Sequence, residues 1–304
     1  MNLNQDFCIG TAQFGMEYGI ANQSGQPIQN EVNQIVEFAF ENGIRFFDTA
    51  QSYGNSEFIL GKALVKQENK NFVKIVSKLL PDIQECNTDI IVESVKSSIN
   101  KLNVESLYGF LAHRVEAIYS GSYALAVQQL KNEGLIVKSG VSVYTPNEAL
   151  TALENPLVEI LQIPFNILDR RWIDEMILER AEEKNVQLMF RSIFLQGLIF
   201  LNDGDLKKRG MYWAKPYLDQ FHKLVSETSF SALELSLGIL SNISEKNVII
   251  IGVDSFHQLK TNVKMIDNLP DFKIVTKNWW EKIPYMPERL LNPSLWDNKS
   301  KSKK

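Results

Sequence analysis

The sequence predicts an α/β fold in which eight βα units close a single (β/α)8 TIM barrel. Three observations predict it. Short apolar runs rich in β-branched and aromatic residues recur along the 304 residues. Segments with helical periodicity separate them. Eight such units in roughly 250 residues is the arithmetic of a closed parallel barrel. The runs lack the polar alternation of a half-exposed strand, so they read as parallel strands covered by helices.

The eight predicted strands are Phe7–Gly10, Arg45–Asp48, Val73–Ser77, Leu107–His113, Val137–Val141, Ile160–Ile163, Gln187–Arg191 and Val248–Gly252. Helices are predicted over about 30–42, 55–66, 88–102, 121–133, 146–153, 172–184, 215–240 and 256–266, with start signals such as Asn87 and the Thr145-Pro146 pair. A doubly wound sheet is the competing fold, and it calls for a glycine-rich first turn. Here that turn reads Gly10-Thr11-Ala12-Gln13-Phe14-Gly15, which is not G-x-G-x-x-G. No linker or composition shift interrupts the middle of the chain. Residues 1–304 are therefore expected to form one barrel domain, with its core at about 5–268 and a C-terminal loop and basic tail at 269–304. Phe200 to Trp213 and the tail fall outside the alternation. The tail carries Trp279, Trp280, Tyr285 and Trp296, which read either as a substrate wall or as packing on the barrel exterior.

Composition narrows the function classes. With 44% hydrophobic and 22% charged residues the chain sits on the globular average, which excludes disordered, collagen-like and disulfide-scaffold proteins. A core of this size needs no staple, so Cys8 and Cys86 are expected to stay reduced thiols. The two cysteines and His113, His222 and His257 share no short metal-ligand spacing, and a metal-free mechanism is expected. The balance of 32 basic against 36 acidic residues gives no footprint for nucleic acid or anionic membrane, so the expected partner is a small molecule. Met1 to Asp6 has neither a basic nor an apolar leader region, and no apolar run approaches the ~18 residues of a spanning helix, so a cytoplasmic location is expected. Lys299 to Lys304 reads as a solvated basic tail, and the chain is expected to act as a monomer or weak homo-oligomer.

In a barrel, reacting groups sit at the C-terminal ends of the strands and in the loops just after them. Strand two runs into Phe47-Asp48-Thr49-Ala50-Gln51-Ser52-Tyr53-Gly54, strand three into Ser77-Lys78, and strand four into Ala112-His113-Arg114. Singly, each polar residue has an ordinary explanation: Asp48 as a turn cap, Lys78 reaching to solvent, Tyr53 as rim packing, His113 as a satisfied core histidine. Together they form a general acid aimed at a carbonyl oxygen. A nearby ammonium is expected to pull the Tyr53 phenol below its ordinary value near 10, and Asp48 holds Lys78 charged. A neutral His113 is expected to add a hydrogen bond that orients and polarises the carbonyl. The set contains no Ser or Cys nucleophile partnered by a base, so an external hydride completes the chemistry.

The string from Phe47 through Tyr53-Gly54-Asn55-Ser56-Glu57 to Leu60-Gly61, with Lys78 and His113 following in order, resembles the signature of the aldo-keto reductases. The resemblance extends over Gly10-Thr11, Gly140-Val141-Ser142, Gln162 with Asn166, and Gln196-Gly197, nearly the whole chain. It implies a barrel that reduces an aldehyde or ketone with NADPH or NADH, with Asp48, Tyr53, Lys78 and His113 as catalytic tetrad. It also implies a cofactor site at Gly10, Thr11, Asp48, Ser142, Gln162, Arg191, Ser192, Ser255, Gln258 and Asn262. Ser142 and Gln162 would hold the nicotinamide carboxamide. The residue after the serine is Val143 where the family often has Asn, and Arg191 stands where an aromatic ring often stacks on the nicotinamide. That arginine can stack, reach the cofactor pyrophosphate or meet an anionic substrate. In the adenosine-binding segment Ile251 to Asn262, the basic residues that grip a 2′-phosphate are replaced by Gly252 and Gln258, and Asp254 would repel that phosphate, so NADH is expected to be tolerated.

The substrate pocket implied by the resemblance takes its walls from Phe14, Tyr18, Arg114, Phe194, Trp213, Trp279 and Trp280, suited to a sugar or other polar carbonyl compound. Two other functions fit the same residues. One is a regulatory or cofactor-binding barrel without turnover, the other a nicotinamide-dependent sugar dehydrogenase or epimerase.

Overall fold

Eight parallel strands pair in chain order and close into a barrel, β1 hydrogen-bonding to β8. They are β1 (Asp6–Gly10), β2 (Phe46–Asp48), β3 (Lys74–Lys78), β4 (Leu107–Ala112), β5 (Ile136–Ser142), β6 (Ile160–Pro164), β7 (Gln187–Arg191) and β8 (Val248–Gly252). Each coincides with a predicted strand to within a residue at either end. The structure is a computed structural model that describes residues 6–67, 72–83, 87–243 and 246–296. Residue 5 of the expected core, Cys86 and the lysine-rich end lie outside the described residues.

The strands are apolar for a physical reason visible in two separate cores. Side chains on one face, among them Cys8, Phe46, Val76, Leu111, Ile160 and Met189, fill the inside of the barrel. Those on the other face pack against the surrounding helices, as Ile9, Phe47, Ile75 and Phe110 do. A strand buried on both faces cannot carry alternating polarity. Close packing also dictates Gly140, where a Cβ would lie 1.8 Å from the Ile160 carbonyl oxygen of the neighbouring strand. At the N-terminal mouth Tyr108 donates to Gln187 (2.8 Å), with Lys74 and Lys138 against its ring. The opposite mouth is left for chemistry.

Helices follow the predicted pattern with two exceptions. The segment at 172–184 is two pieces, Arg171–Asp174 and Ile177–Glu183, because Met176 takes a left-handed conformation (φ 54°) that no helix accommodates. The segment at 215–240 is also two helices, Lys215–Ser226 and Ala232–Ser241. Ser231 and Glu234 form a reciprocal capping box there, which starts a second helix instead of continuing the first. Between β7 and this pair, Asp203–Lys208 is helical and capped by Asn202.

The tail is part of the packed structure. Lys273–Lys282 is a helix whose Trp279 is 4% exposed, donates its indole N–H to the Ile167 carbonyl and meets Phe221 edge-on. Trp280 stacks on Phe165, and Trp296 donates to the Arg289 carbonyl. For these three tryptophans exterior packing is the expectation realised, whereas Tyr285 is exposed. No helix among the described residues is long and apolar enough to cross a membrane.

Candidate active site

Strand register brings the predicted residues to one rim. Gly10 of β1 is level with Asp48 of β2 on one side and Gly252 of β8 on the other, and Ser142 of β5 is level with Gln162 of β6. Asp48 ends β2 and Lys78 ends β3, and their side chains turn into the barrel mouth, 4% and 1% exposed. Lys78 Nζ donates to Asp48 Oδ1 at 2.6 Å and to the Thr49 carbonyl at 2.9 Å. A buried ammonium is tolerable only with such a counter-charge and a second acceptor.

The loop after β2 is shaped by backbone geometry. Gln51 N–H bonds the Lys78 carbonyl, Tyr53 N–H bonds Ala50, and Ser56 N–H bonds the Tyr53 carbonyl, starting the helix Ser56–Leu64. Gly54 takes a left-handed φ of 56° against Gly15, where any Cβ would lie 1.8 Å from the Tyr53 carbonyl oxygen. This contact presses the turn inward. It sets the Tyr53 ring beneath the ammonium of Lys78, which stands 5.2 Å from the ring centre. The Tyr53 hydroxyl has no hydrogen-bond partner among the described residues, and the side chain lines a cavity of about 520 Å³.

The electrostatics differ from expectation at one of the four predicted catalytic positions, Tyr53. Lys78 does not pull the Tyr53 phenol down: burial pushes it well above its ordinary value and the Asp48 charge adds to this, while Arg191 works in the opposite direction. His113 is half-buried and neutral, pushed down to about 4 by burial first and by Lys78 second. Its Nδ1 lies 3.3 Å from the Leu79 carbonyl, which can only accept, so this nitrogen carries the proton. In a neutral ring with that tautomer Nε2 is an acceptor.

From Lys78 a hydrogen-bonded chain crosses the mouth. Gln162 Nε2 donates to Asp48 Oδ1 (2.7 Å), Ser142 Oγ donates to Gln162 Oε1 (3.3 Å), and Arg191 Nε donates to Ser142 Oγ (3.4 Å). Five strands thus share one polar network. Thr11 lines the cavity and also ties the loop down, donating to the Asp48 carbonyl while Ser56 Oγ bonds both its carbonyl and its hydroxyl.

The cavity runs from Asp48 and Tyr53 across the ends of β1 and β8 to Gln258 and Asn262. Gly10, Thr11, Arg191 and Ser192 line it between these ends, and Leu195, Gln196 and Gly197 take successive left-handed conformations at its edge. Such an elongated groove floored by Gly10 and Gly252 fits a dinucleotide. Asp254 sits at the far end, its N–H donating to Gln258 Oε1, and burial holds its carboxyl above the ordinary value. Arg191 is the only Lys or Arg among the described lining residues. The Ser255 hydroxyl caps the helix Phe256–Asp267, and the residue is not among those lining the cavity.

Of the predicted substrate residues, Tyr18 lines the cavity, accepting a hydrogen bond from Gln196 Nε2 at 3.4 Å. Phe194 lines it too, ring against Phe200. Phe14 does not, because it is fully buried in the core on the short helix Ala12–Gly15. Trp279 and Trp280 are held on the barrel exterior as described. Trp213 packs under the Arg289 guanidinium, and Arg114 is exposed at the start of the turn Val115–Tyr119. None of these five lines the cavity. Sequence reasoning missed Gln13, which lines the groove beside Gly252, and Tyr144, whose ring lies 4.6 Å from the Arg191 guanidinium. Tyr144 stands two residues beyond Ser142, and that spacing was the only signal for it.

A closed parallel barrel with a buried ion pair and a long groove at its C-terminal rim is the frame of a barrel enzyme with its site in the usual place. The profile of the Aldo/keto reductase family matches residues 6–275, and the chain belongs to that family. Protein REDOX 2 of Catharanthus roseus is 26% identical over 196 residues, 56% of this chain and 59% of that protein, so the match spans little more than half of that relative. The uncharacterized oxidoreductase YqkF of Bacillus subtilis (strain 168) is 25% identical over 277 residues, covering 84% of this chain and 89% of the relative. The holo form of aldo-keto reductase AKR11C1 from Bacillus halodurans shares the fold with a TM-score of 0.71 at 20% identity, covering 91% of each chain.

Proposed function

We propose that this protein reduces an aldehyde or ketone to an alcohol, with Tyr53 as proton donor and a bound reduced nicotinamide supplying the hydride. The observation that carries this reading is the Tyr53 hydroxyl, which faces the cavity with no hydrogen-bond partner among the described residues, beside a buried Lys78–Asp48 pair. A phenol held above its ordinary value by burial stays protonated at every working pH, so the proton is present when a carbonyl arrives. Lys78 and Asp48 keep fixed charges at the ring face, where neither has to reorganise as charge develops on the oxygen. Gln162 and Ser142 orient the ring of the cofactor, and Asp48 holds Gln162 in place. His113, with its proton on Nδ1, accepts from a hydroxyl of the substrate and positions it, which suits a sugar or other hydroxylated carbonyl compound.

NADH is the cofactor this groove favours. A 2′-phosphate asks for Lys or Arg, whereas the adenosine end presents Asp254, Gln258 and Asn262, and Asp254 is suited to accept from a ribose 2′-hydroxyl. The net charge of −4 supports a small-molecule partner in the cytoplasm and no polyanion. Titrating the protein with NADH and NADPH, followed by cofactor fluorescence, tests the reading before any substrate is chosen. Binding with NADH favoured supports it. A large preference for NADPH overturns the cofactor assignment, and binding of neither overturns the reductase.

A further inference from the structure

Two cations reach the catalytic mouth, and they are treated differently. Lys78 is neutralised at 2.6 Å by Asp48. Arg191, at the end of β7, forms no ion pair among the described residues. Its three hydrogen bonds go to neutral acceptors: Ser142 Oγ (3.4 Å), Ser192 Oγ (3.4 Å) and the Val143 carbonyl (3.0 Å). A guanidinium has five N–H groups, so two are left. Its flat face rests on Tyr144, 4.6 Å from the ring centre, which fixes the plane of the fork. It is half-buried, lines the cavity, and its charge acts on Tyr18, Tyr53 and His113 together. Tyr18 accepts from Gln196, and its own hydroxyl hydrogen has no acceptor among the described residues. A half-buried cation with a pre-set plane, spare donors and no counter-ion is a site for an anion.

We propose that Arg191, with the Tyr18 hydroxyl, binds a carboxylate or phosphate carried by the substrate, so that the substrate class is an aldehyde or ketone with an anionic group a few bonds from its carbonyl. This rests on the reductase reading. The charge of Arg191 acts on Tyr53 and Tyr18, which places it at the Tyr53 end of the groove and not at the adenosine end of Asp254, Gln258 and Asn262. In the reaction the carbonyl carbon gains the hydride, its oxygen gains the Tyr53 proton, the nicotinamide is oxidised by two electrons, and the anionic group is unchanged. The other anion that an arginine here could meet is the cofactor pyrophosphate, and the experiment separates the two.

The test uses matched pairs: glyceraldehyde against glyceraldehyde 3-phosphate, and butanal against 4-oxobutanoate. The readout is the ratio of kcat/KM for the anionic over the neutral member, so any loss common to both cancels. Charge-assisted contacts of this kind correspond to a ratio of about tenfold to a hundredfold. We expect such a ratio for at least one pair in the wild type, a fall toward unity in Arg191→Gln, partial rescue in Arg191→Lys, and a decline of the wild-type ratio with added salt. The salt series needs no variant and stands if Arg191→Gln fails to fold. Turnover of neutral carbonyls with a wild-type ratio near one for both pairs overturns the proposal and leaves the reductase standing. A ratio unchanged in Arg191→Gln, with NADH affinity weakened about tenfold or more by fluorescence titration, overturns it in favour of the pyrophosphate. Absence of both cofactor binding and turnover overturns the reductase reading and this proposal with it.

Discussion

Lys78 Nζ lies 2.6 Å from Asp48 Oδ1, and each side chain is at most 5% exposed. The pair joins the ends of β3 and β2, and Gln162 adds a third strand through the same oxygen. Neither charge can be solvated if the other is removed. The pair is therefore part of the stability of the barrel mouth as well as of its chemistry.

Replacing Lys78 by Met strands a buried carboxylate and is expected to lower stability by about 3–5 kcal/mol. Asp48→Asn in the same chain removes the stranded charge and is expected to recover a large part of that loss. Urea denaturation of the single and double variants checks this. A single variant as stable as the wild type would show that the mouth relaxes to admit water.

Tyr53→Phe deletes the hydroxyl alone, since the ring keeps its place under Lys78. Turnover is expected to fall about 10²–10⁴-fold, while nicotinamide affinity changes by no more than about threefold. Steady-state kinetics beside a cofactor titration separates the two effects. Retention of full activity would remove Tyr53 from the role of general acid.

His113 ionises near pH 4 in the folded protein because burial disfavours its charge, against about 6.5 in the unfolded chain. Between these values the unfolded state binds the extra proton, so stability is lost as pH falls from about 6.5 through 4 and is unaffected above that window. His113→Gln is expected to flatten this part of the stability profile. The ring's NMR titration gives the folded value directly, and a midpoint above 6 would contradict the burial argument.

Gly15→Ala places a methyl group where the Tyr53 carbonyl oxygen stands, 1.8 Å away. The two nearest atoms, the Tyr53 carbonyl oxygen and the Ser56 nitrogen, are backbone, so the turn must move. The expected result is a loss of kcat larger than the loss of cofactor affinity, with stability lowered by about 1–3 kcal/mol. Unchanged kcat would mean that the turn's position does not set the acid.

Trp279→Phe removes the indole bond to the Ile167 carbonyl. Stability is expected to drop by about 1–2 kcal/mol with KM unchanged for every substrate. A selective rise in KM would return Trp279 to the substrate wall.

The barrel and the order of the polar groups at its rim were legible in the sequence because both depend on short-range patterns. Strands buried on two faces must be continuously apolar, and Asp48, Lys78 and His113 had to lie at one rim once their strands were parallel. Gly54 announced the turn that carries Tyr53. The helix breaks at Met176 and before Ser231 were less visible, since periodicity runs through both while a left-handed residue or a reciprocal cap interrupts the chain locally.

By itself, then, the sequence determined the fold and the rim to which Asp48, Tyr53, Lys78 and His113 are delivered, because hydrophobic period and residue order survive without coordinates. Only tertiary structure decided which charges remain uncompensated. Lys78 and Arg191 are alike as letters, but one meets Asp48 and the other meets neutral oxygens. Likewise Phe14, Trp279 and Tyr18 are equivalent candidates along the chain, and only packing sorted the first two into the core and the third onto the cavity wall. Desolvation and pairing depend on neighbours from distant elements, 114 residues apart in the case of Gln162 and Asp48, and no local pattern encodes them.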